Sequence, residues 1–364
     1  MSTHRPPVRA SGPLPRPAAG PAALALALVA ATGACDTMEL APGELNDIYV
    51  AADAGLWSQV EDTVESALQP TVLTVTEELA FQVVYTDPTA PEWGRVQSFK
   101  QILLIGTPQD PWVAPAVAEA DGEPTPPTVF QTRDVWSRNQ FVTVLLLPSP
   151  DPAAVAPRLP ELSQLFERHY RRWALARMFI SGRDSALADT LAREAGFSLL
   201  VPEVYRWTAR DSLYVFRNDN PSPDELIRQV TVTWRTPVPG SLDSLFAAGP
   251  LLAWRQALGE AAAAAAQDVD TGEGMIPLQE VDTSMVRSGP VDLAGARAWE
   301  VQAIWQNPPS ADWPAAGPTI TRAVVCPGQD RLYLLDAWLY APGRDKYEYM
   351  IQLNTILDSF RCGG

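Results

Sequence analysis

Two stretches, "KQILLIGT" (100–107) and "FVTVLLLP" (141–148), constrain this chain more than any other feature. Each is a nearly continuous apolar run of strand length, so each belongs in the middle of a sheet, where no face meets water. The segments around them complete an alternating order. Ile48 to Ala52 reads as an extended start, and a helix follows with Trp57, Val60, Val64 and Leu68 at helical spacing. "LAFQVVY" (79–85) is a further strand. The segment "PQDPWVAPAVAEADGEPTPPT" (108–128) is rich in prolines that remove backbone donors, which predicts a surface excursion. A long helical region, Pro160 to Ala195, breaks around Ser181-Gly182. This half is α/β with local β-α-β order.

From Gly196 onward the rhythm changes. "FSLLVPEVYRW" and "SLYVFRND" are short strands around a polar turn, "QVTVTWRT" is another, and a helix is expected from Leu251 to Ala266. In "AWEVQAIWQ", Trp299, Val301, Ala303 and Trp305 alternate with Glu300, Gln302 and Gln306, the pattern of a strand covering a core on one side only. A hairpin follows, Thr319 to Cys326 and Arg331 to Tyr340, turning at Pro327-Gly328 where Gly would supply a positive φ. Asp345 and Glu348 read as a capping box for a last helix whose buried stripe is Met350, Leu353, Leu357 and Phe360. A chain of 364 residues exceeds what one core usually fills. The fold class is therefore α+β, with an N-terminal α/β domain over 48–195 and a C-terminal antiparallel sheet backed by helices over 196–364.

The N-terminus reads as an address. Arg5, Arg9 and Arg16 precede an apolar run from Ala22 to Ala31, too short for a permanent span, so residues 1–34 form a secretory signal peptide. Thr32-Gly33-Ala34-Cys35 resembles the lipobox of bacterial lipoproteins. The resemblance implies that Cys35 is acylated through its thiol and becomes the mature N-terminus, with 35–47 as a tether. This places the protein in the bacterial cell envelope, held to a membrane by an N-terminal lipid, with inner and outer membrane both open.

Charge narrows the partners. The chain has 43 acidic against 27 basic residues, and three of the basic ones leave with the leader. That field opposes nucleic acid and anionic surfaces.

The stretches "RDVWSRNQFVTVLLLP", "AREAGFSLLVPEVYRW", "SLYVFRND" and "YAPGRDKYEYMIQLNTILDSF" resemble the motifs of a bacterial envelope lipoprotein family known only as a domain of unknown function. Glu78-Leu79-Ala80-Phe81 departs from its pattern, as does Lys100-Gln101. The second half more weakly resembles the PsbP-like and Mog1-like α/β/α sandwich, through "GFSLLVP" and "ILDSF". Neither resemblance implies a catalytic residue.

Chemistry must then be sought residue by residue. Of two histidines, His4 leaves with the leader; His169 shares a helical face with Leu162, Phe166 and Trp173 and reads as structural rather than as a general base. A zinc site would need thiolates, which are not spare, and neither G-x-S-x-G nor G-x-x-x-x-G-K-[ST] occurs. Glu77 and Glu78, adjacent on a strand, would point to opposite faces. "DVDTGEG" (268–274) matches a calcium loop only in part and reads as a solvated loop. These observations point to no cofactor, no metal and no enzyme.

Contact surfaces are the better expectation. The basic cluster "RHYRR", with Arg168, Arg171 and Arg172, could meet an acidic partner or phospholipid heads, or simply pair with Glu161 and Glu167. Among twelve tryptophans, Trp93, Trp112 and Trp313 lie in proline-flanked loops and are the candidates for exposed contacts. The leading function is a non-enzymatic binding or assembly factor with an envelope protein partner. The alternatives are a lipoprotein binding a glycan or small molecule and, behind it, a carboxylate-based hydrolase. Finally, the strand from Arg331 runs away from the hairpin turn and the last helix returns toward it, so Cys362 should reach Cys326 and form a disulfide.

Overall fold

The computed structural model describes residues 38–220, 225–243, 245–267, 279–293, 295–311 and 314–363. Cys35, Trp313 and the loop at 268–274 lie outside them. Glu39–Gly364 forms one compact unit.

The first sheet comprises β1 (Asp47–Ala52), β2 (Gln82–Thr86), β3 (Gln101–Gly106), β4 (Thr128–Arg133) and β5 (Phe141–Leu146), in the order β2-β1-β3-β5-β4. All pairs are parallel except the edge pair β4 and β5. β3 and β5 are central, as their apolar runs require: every residue of β3 is buried. Helix α1 (Ala54–Leu68) begins where the Asp53 carboxylate accepts from the Gly55 and Leu56 amides, and it buries Leu56, Trp57, Val60, Val64 and Leu68. It shares one face of the sheet with α2 (Leu159–Met178), which presents Leu162, Phe166 and Tyr170. The opposite face is closed by the proline-rich excursion itself. That segment was expected on the surface, yet Val113 and Ala116 are fully buried there and a short helix, Ala114–Ala118, packs on β3 and β5. Pro115 is tolerated in that helix because its first turn needs no amide donors. The expected tether is also packed from Glu39 on, since Ala41 and Leu45 are buried.

The second sheet is wholly antiparallel. Its strands are β6 (Arg206–Arg210), β7 (Leu213–Asn218), β8 (Ile227–Arg235), β9 (Glu280–Leu293), β10 (Ala296–Gln306), β11 (Ala316–Cys326) and β12 (Arg331–Tyr340), ordered β9-β10-β11-β12-β8-β7-β6. Helix α4 (Ala248–Gln267) covers one face, while α3 (Ser185–Glu194) and α5 (Tyr347–Asp358) cover the other. The one-sided core expected for β10 is therefore corrected. Its polar face is half-buried at Glu300 and Gln302, because Arg322 of β11 bonds Glu300 at 2.7 Å and reaches Asp358 and Asn354 of α5 at 2.7 and 3.0 Å. An ion-pair network alternates with the same period as a solvated face.

Two local expectations also change. The positive φ of the β11–β12 hairpin falls on Asp330 (φ 51), not on Gly328. No capping box opens α5: the amide of Lys346 donates instead to Glu78, 3.0 Å away and far upstream in the chain. Glu348 is engaged elsewhere, by Arg177 and Gln352.

α5 is the seam of the molecule. Ile351 faces the first core; Met350, Leu353, Ile356 and Leu357 face the second. Tyr347, in its first turn, stacks on Tyr170 at 5.2 Å and meets Phe81 edge-on. α3, which precedes the expected joint at Gly196, buries Leu187 and Leu191 in the second core. Among the described residues, no helix is long and apolar enough to cross a membrane.

Candidate functional site

α2 ends at Met178, and Gly182 (φ 105) turns the chain into α3, a conformation that glycine takes without strain. The reversal leaves Ile180 projecting outward, 88% exposed, beside the half-exposed Val204. Beneath this rim lies a cleft of about 380 Å³ between the end of α2, the start of α5 and the ends of β7 and β8. α2 brings Arg177, β8 brings Arg228, the segment before α5 brings Arg344, and α5 itself supplies Glu348, Tyr349 and Gln352.

A single hydrogen-bonded chain orders these groups. Arg177 Nε donates to Glu348 Oε1 at 3.0 Å, Gln352 Nε2 donates to the same oxygen at 3.0 Å, and Arg228 Nη1 donates to Gln352 Oε1 at 3.0 Å. Arg228 also lies over the Tyr349 ring, 5.7 Å from its centroid, and Arg344 pairs with Glu225 at 2.7 Å. Glu348 is the one carboxylate in the lining among the described residues, against three guanidiniums. Arg228 Nε and Ser181 Oγ are buried in the wall with no partner. Leaving a buried donor unmatched costs about 1–3 kcal/mol, so Arg228 Nε is under-satisfied at the wall of the cleft. Met178 and Leu226 make part of the wall apolar. The arrangement suits a molecule with an anionic group next to an apolar part.

The residues singled out from sequence are distributed elsewhere. Trp93 and Trp112 are half-buried against the first sheet; Trp93 meets Trp136 edge-on at 5.8 Å, and Trp112 Nε1 is buried without a partner. Arg168 and Arg172 flank His169 on one side of α2, whereas Arg171 turns away and pairs with Glu167 at 3.4 Å. Cys326 and Cys362 are brought together in a disulfide with Cα atoms 5.8 Å apart, where Arg361–Cys362 pairs with Phe197–Ser198. Sequence reasoning missed Arg177, Arg228, Arg344 and Gln352, none of which sits in a catalytic motif. One signal did point there. Val204, Asn218 and the Arg344–Gln352 stretch lie in three of the segments that carry the resemblance to the family of unknown function, and all three meet at this cleft.

Residues 184–359 match the family described as "Domain of unknown function (DUF4837)". No curated protein matches the chain. Among solved structures it is similar to cyanobacterial PsbP (CyanoP) from Synechocystis sp. PCC 6803, at 14% identity over 46% of this chain and 88% of that one, TM-score 0.29. LpqN, involved in cell envelope biogenesis of Mycobacterium tuberculosis, gives 12% identity over 46% and 83%, TM-score 0.27. The Ran-binding protein Mog1p of Saccharomyces cerevisiae gives 12% over 46% and 90%, TM-score 0.29. Likenesses at this level carry no argument about function.

Proposed function

We propose that this chain is a non-enzymatic protein of the bacterial cell envelope, anchored through a lipid on Cys35, that binds a small molecule with an anionic group and an apolar part in the cleft around Arg228. The observation that supports this reading is the meeting of three separated motif segments around a cleft in which guanidiniums outnumber carboxylates and Arg228 Nε has no partner. A protein partner is the second reading, favoured by the 88% exposure of Ile180 on the rim.

Native mass spectrometry of the full chain extracted from its host membranes tests both. The small-molecule reading expects a non-covalent adduct that Arg228→Ala removes. Its absence from the unaltered chain overturns that reading, and a protein crosslinked through a photoreactive group at position 180 supports the second. For the anchor, Cys35→Ser should leave an unlipidated protein that no longer partitions with membranes.

A further inference from the structure

A second, smaller cavity lies on the far side of α2, at the antiparallel edge of the first sheet. It measures about 100 Å³ and is lined by Gln131 and Arg133 of β4, Phe141 of β5, and Arg168, His169 and Arg172 of α2. No carboxylate lines it among the described residues, although the chain as a whole carries a net charge of −16. Arg133 lies over the Phe141 ring, 4.7 Å from its centroid, and among the described residues it makes no ion pair, while Arg168 has only a long contact to Gln164, at 3.5 Å. The nearest acid on the helix, Glu167, is engaged by Arg171 and by the Tyr347 hydroxyl.

His169 is held in one tautomer inside this cluster. Gln101 Nε2 donates to Leu45 O at 2.7 Å, so Gln101 Oε1 is the atom facing the ring, 3.0 Å from His169 Nδ1. Nδ1 must carry the proton, and Nε2 is left with a lone pair. The charged groups facing the cavity are Arg133 from β4 and Arg168 and Arg172 from α2; β3 and β5 present only Gln101 and Phe141. Burial first, then Arg133 and Arg172, push the His169 pKa down to about 4. The ring is neutral among three cations.

We propose that this cavity binds a phosphoryl group, which Arg133, Arg168 and Arg172 hold while His169 takes up a proton at Nε2 and becomes a fourth donor. The size fits: a space of about 100 Å³ has room for one tetrahedral oxyanion. Guanidinium forks match phosphate oxygens in geometry and charge. An anion beside the ring offsets the two arginines that oppose its protonation, so binding and proton uptake reinforce one another. For phosphate in one ionisation state, affinity therefore rises as pH falls through the bound-state pKa of His169 toward its free value of about 4. The site is distinct from the cleft around Arg228 and does not rest on it.

Two histidines in the whole chain make the test direct. NMR titration of the histidine ring signals in the full chain, assigned with His169→Gln, is run with and without inorganic phosphate at constant ionic strength made up with chloride. The His169 pKa should rise by one unit or more, the mark of at least tenfold tighter phosphate binding to the protonated form. Arg172→Gln should abolish the rise. Arg171→Gln, outside the cavity, should leave it intact. A pKa unmoved by phosphate, or moved equally in Arg172→Gln, overturns the proposal unless vesicles respond: phosphatidylcholine vesicles with and without phosphatidic acid separate a free anion from a lipid headgroup. Arg172-dependent preference for phosphatidic acid assigns the headgroup, a response to phosphate alone assigns the free anion, and the lack of both responses overturns the proposal.

Discussion

Replacing Glu78 should loosen the last helix from a position far away in sequence. Its carboxylate accepts the Lys346 amide at 3.0 Å, at the entry to α5, and also pairs with the Lys346 ammonium. The side chains are 17% and 13% exposed, so the pair is largely but not wholly withdrawn from water. A cap of this kind is worth about 1 kcal/mol, and a carboxylate at a helix N-terminus adds about 0.3–1 kcal/mol through the helix dipole. Losing the ion pair costs less than the roughly 3–5 kcal/mol of a fully buried one, because Lys346 retains Arg344 O at 3.1 Å and some access to solvent. Glu78→Ala should therefore destabilise the protein by about 2–3 kcal/mol, and Glu78→Gln, which keeps shape but loses charge, by about half of that. Asp345, the expected capping residue, is exposed, and α5 has no side-chain cap bond from its own N-cap residue. Asp345→Asn should stay within about 0.5 kcal/mol of the parent. Urea unfolding at pH 7 reads all three. The reasoning fails if Asp345→Asn costs as much as Glu78→Ala, or if Glu78→Ala is neutral.

Gly317→Ala should be among the most damaging single-methyl changes, above about 3 kcal/mol by urea unfolding, with soluble yield as a second readout. A Cβ there would overlap Leu339 O and lie 2.9 Å from Trp305 Nε1, breaking the 3.0 Å bond between them inside the sheet. His169 sets a pH dependence whose sign follows from its lowered pKa: the unfolded chain, titrating at about 6.5, binds the proton first, so stability falls as pH drops from about 6.5 toward about 4. Between pH 7 and pH 4.5 that loss is about 2–3 kcal/mol, and His169→Gln should narrow the pH dependence by this amount. Reducing the Cys326–Cys362 bridge opens a loop with a sequence separation of 36, which should lower stability by about 4 kcal/mol less any strain released. Unfolding with and without a phosphine reductant measures it, and an unchanged urea midpoint contradicts it.

Periodicity and composition were enough to locate most elements. The central strands at 101–106 and 141–146, the buried stripe of α1 and the alternation in β10 follow from local pattern, because burial repeats every two residues in strands and every 3.6 in helices. The same patterns name a buried face without naming what covers it. Glu300 and Arg322 alternate as solvent-facing residues would, and only the approach of α5 brings Asn354 and Asp358 to Arg322 and makes them a half-buried network. Glu78 caps α5, and Arg133 joins Arg172, because the segment before β2 and an edge strand arrive beside helices from distant parts of the chain. The cleft follows the same rule. Its arginines come from one helix, one strand and one connecting segment, each unremarkable in its own sequence. What the sequence by itself determined was the set of elements and the faces they bury; which element meets which, and so where the cleft and the arginine-lined cavity lie, was decided by tertiary packing, since charge and hydrogen-bond partners come together only when separate cores are closed against a shared helix.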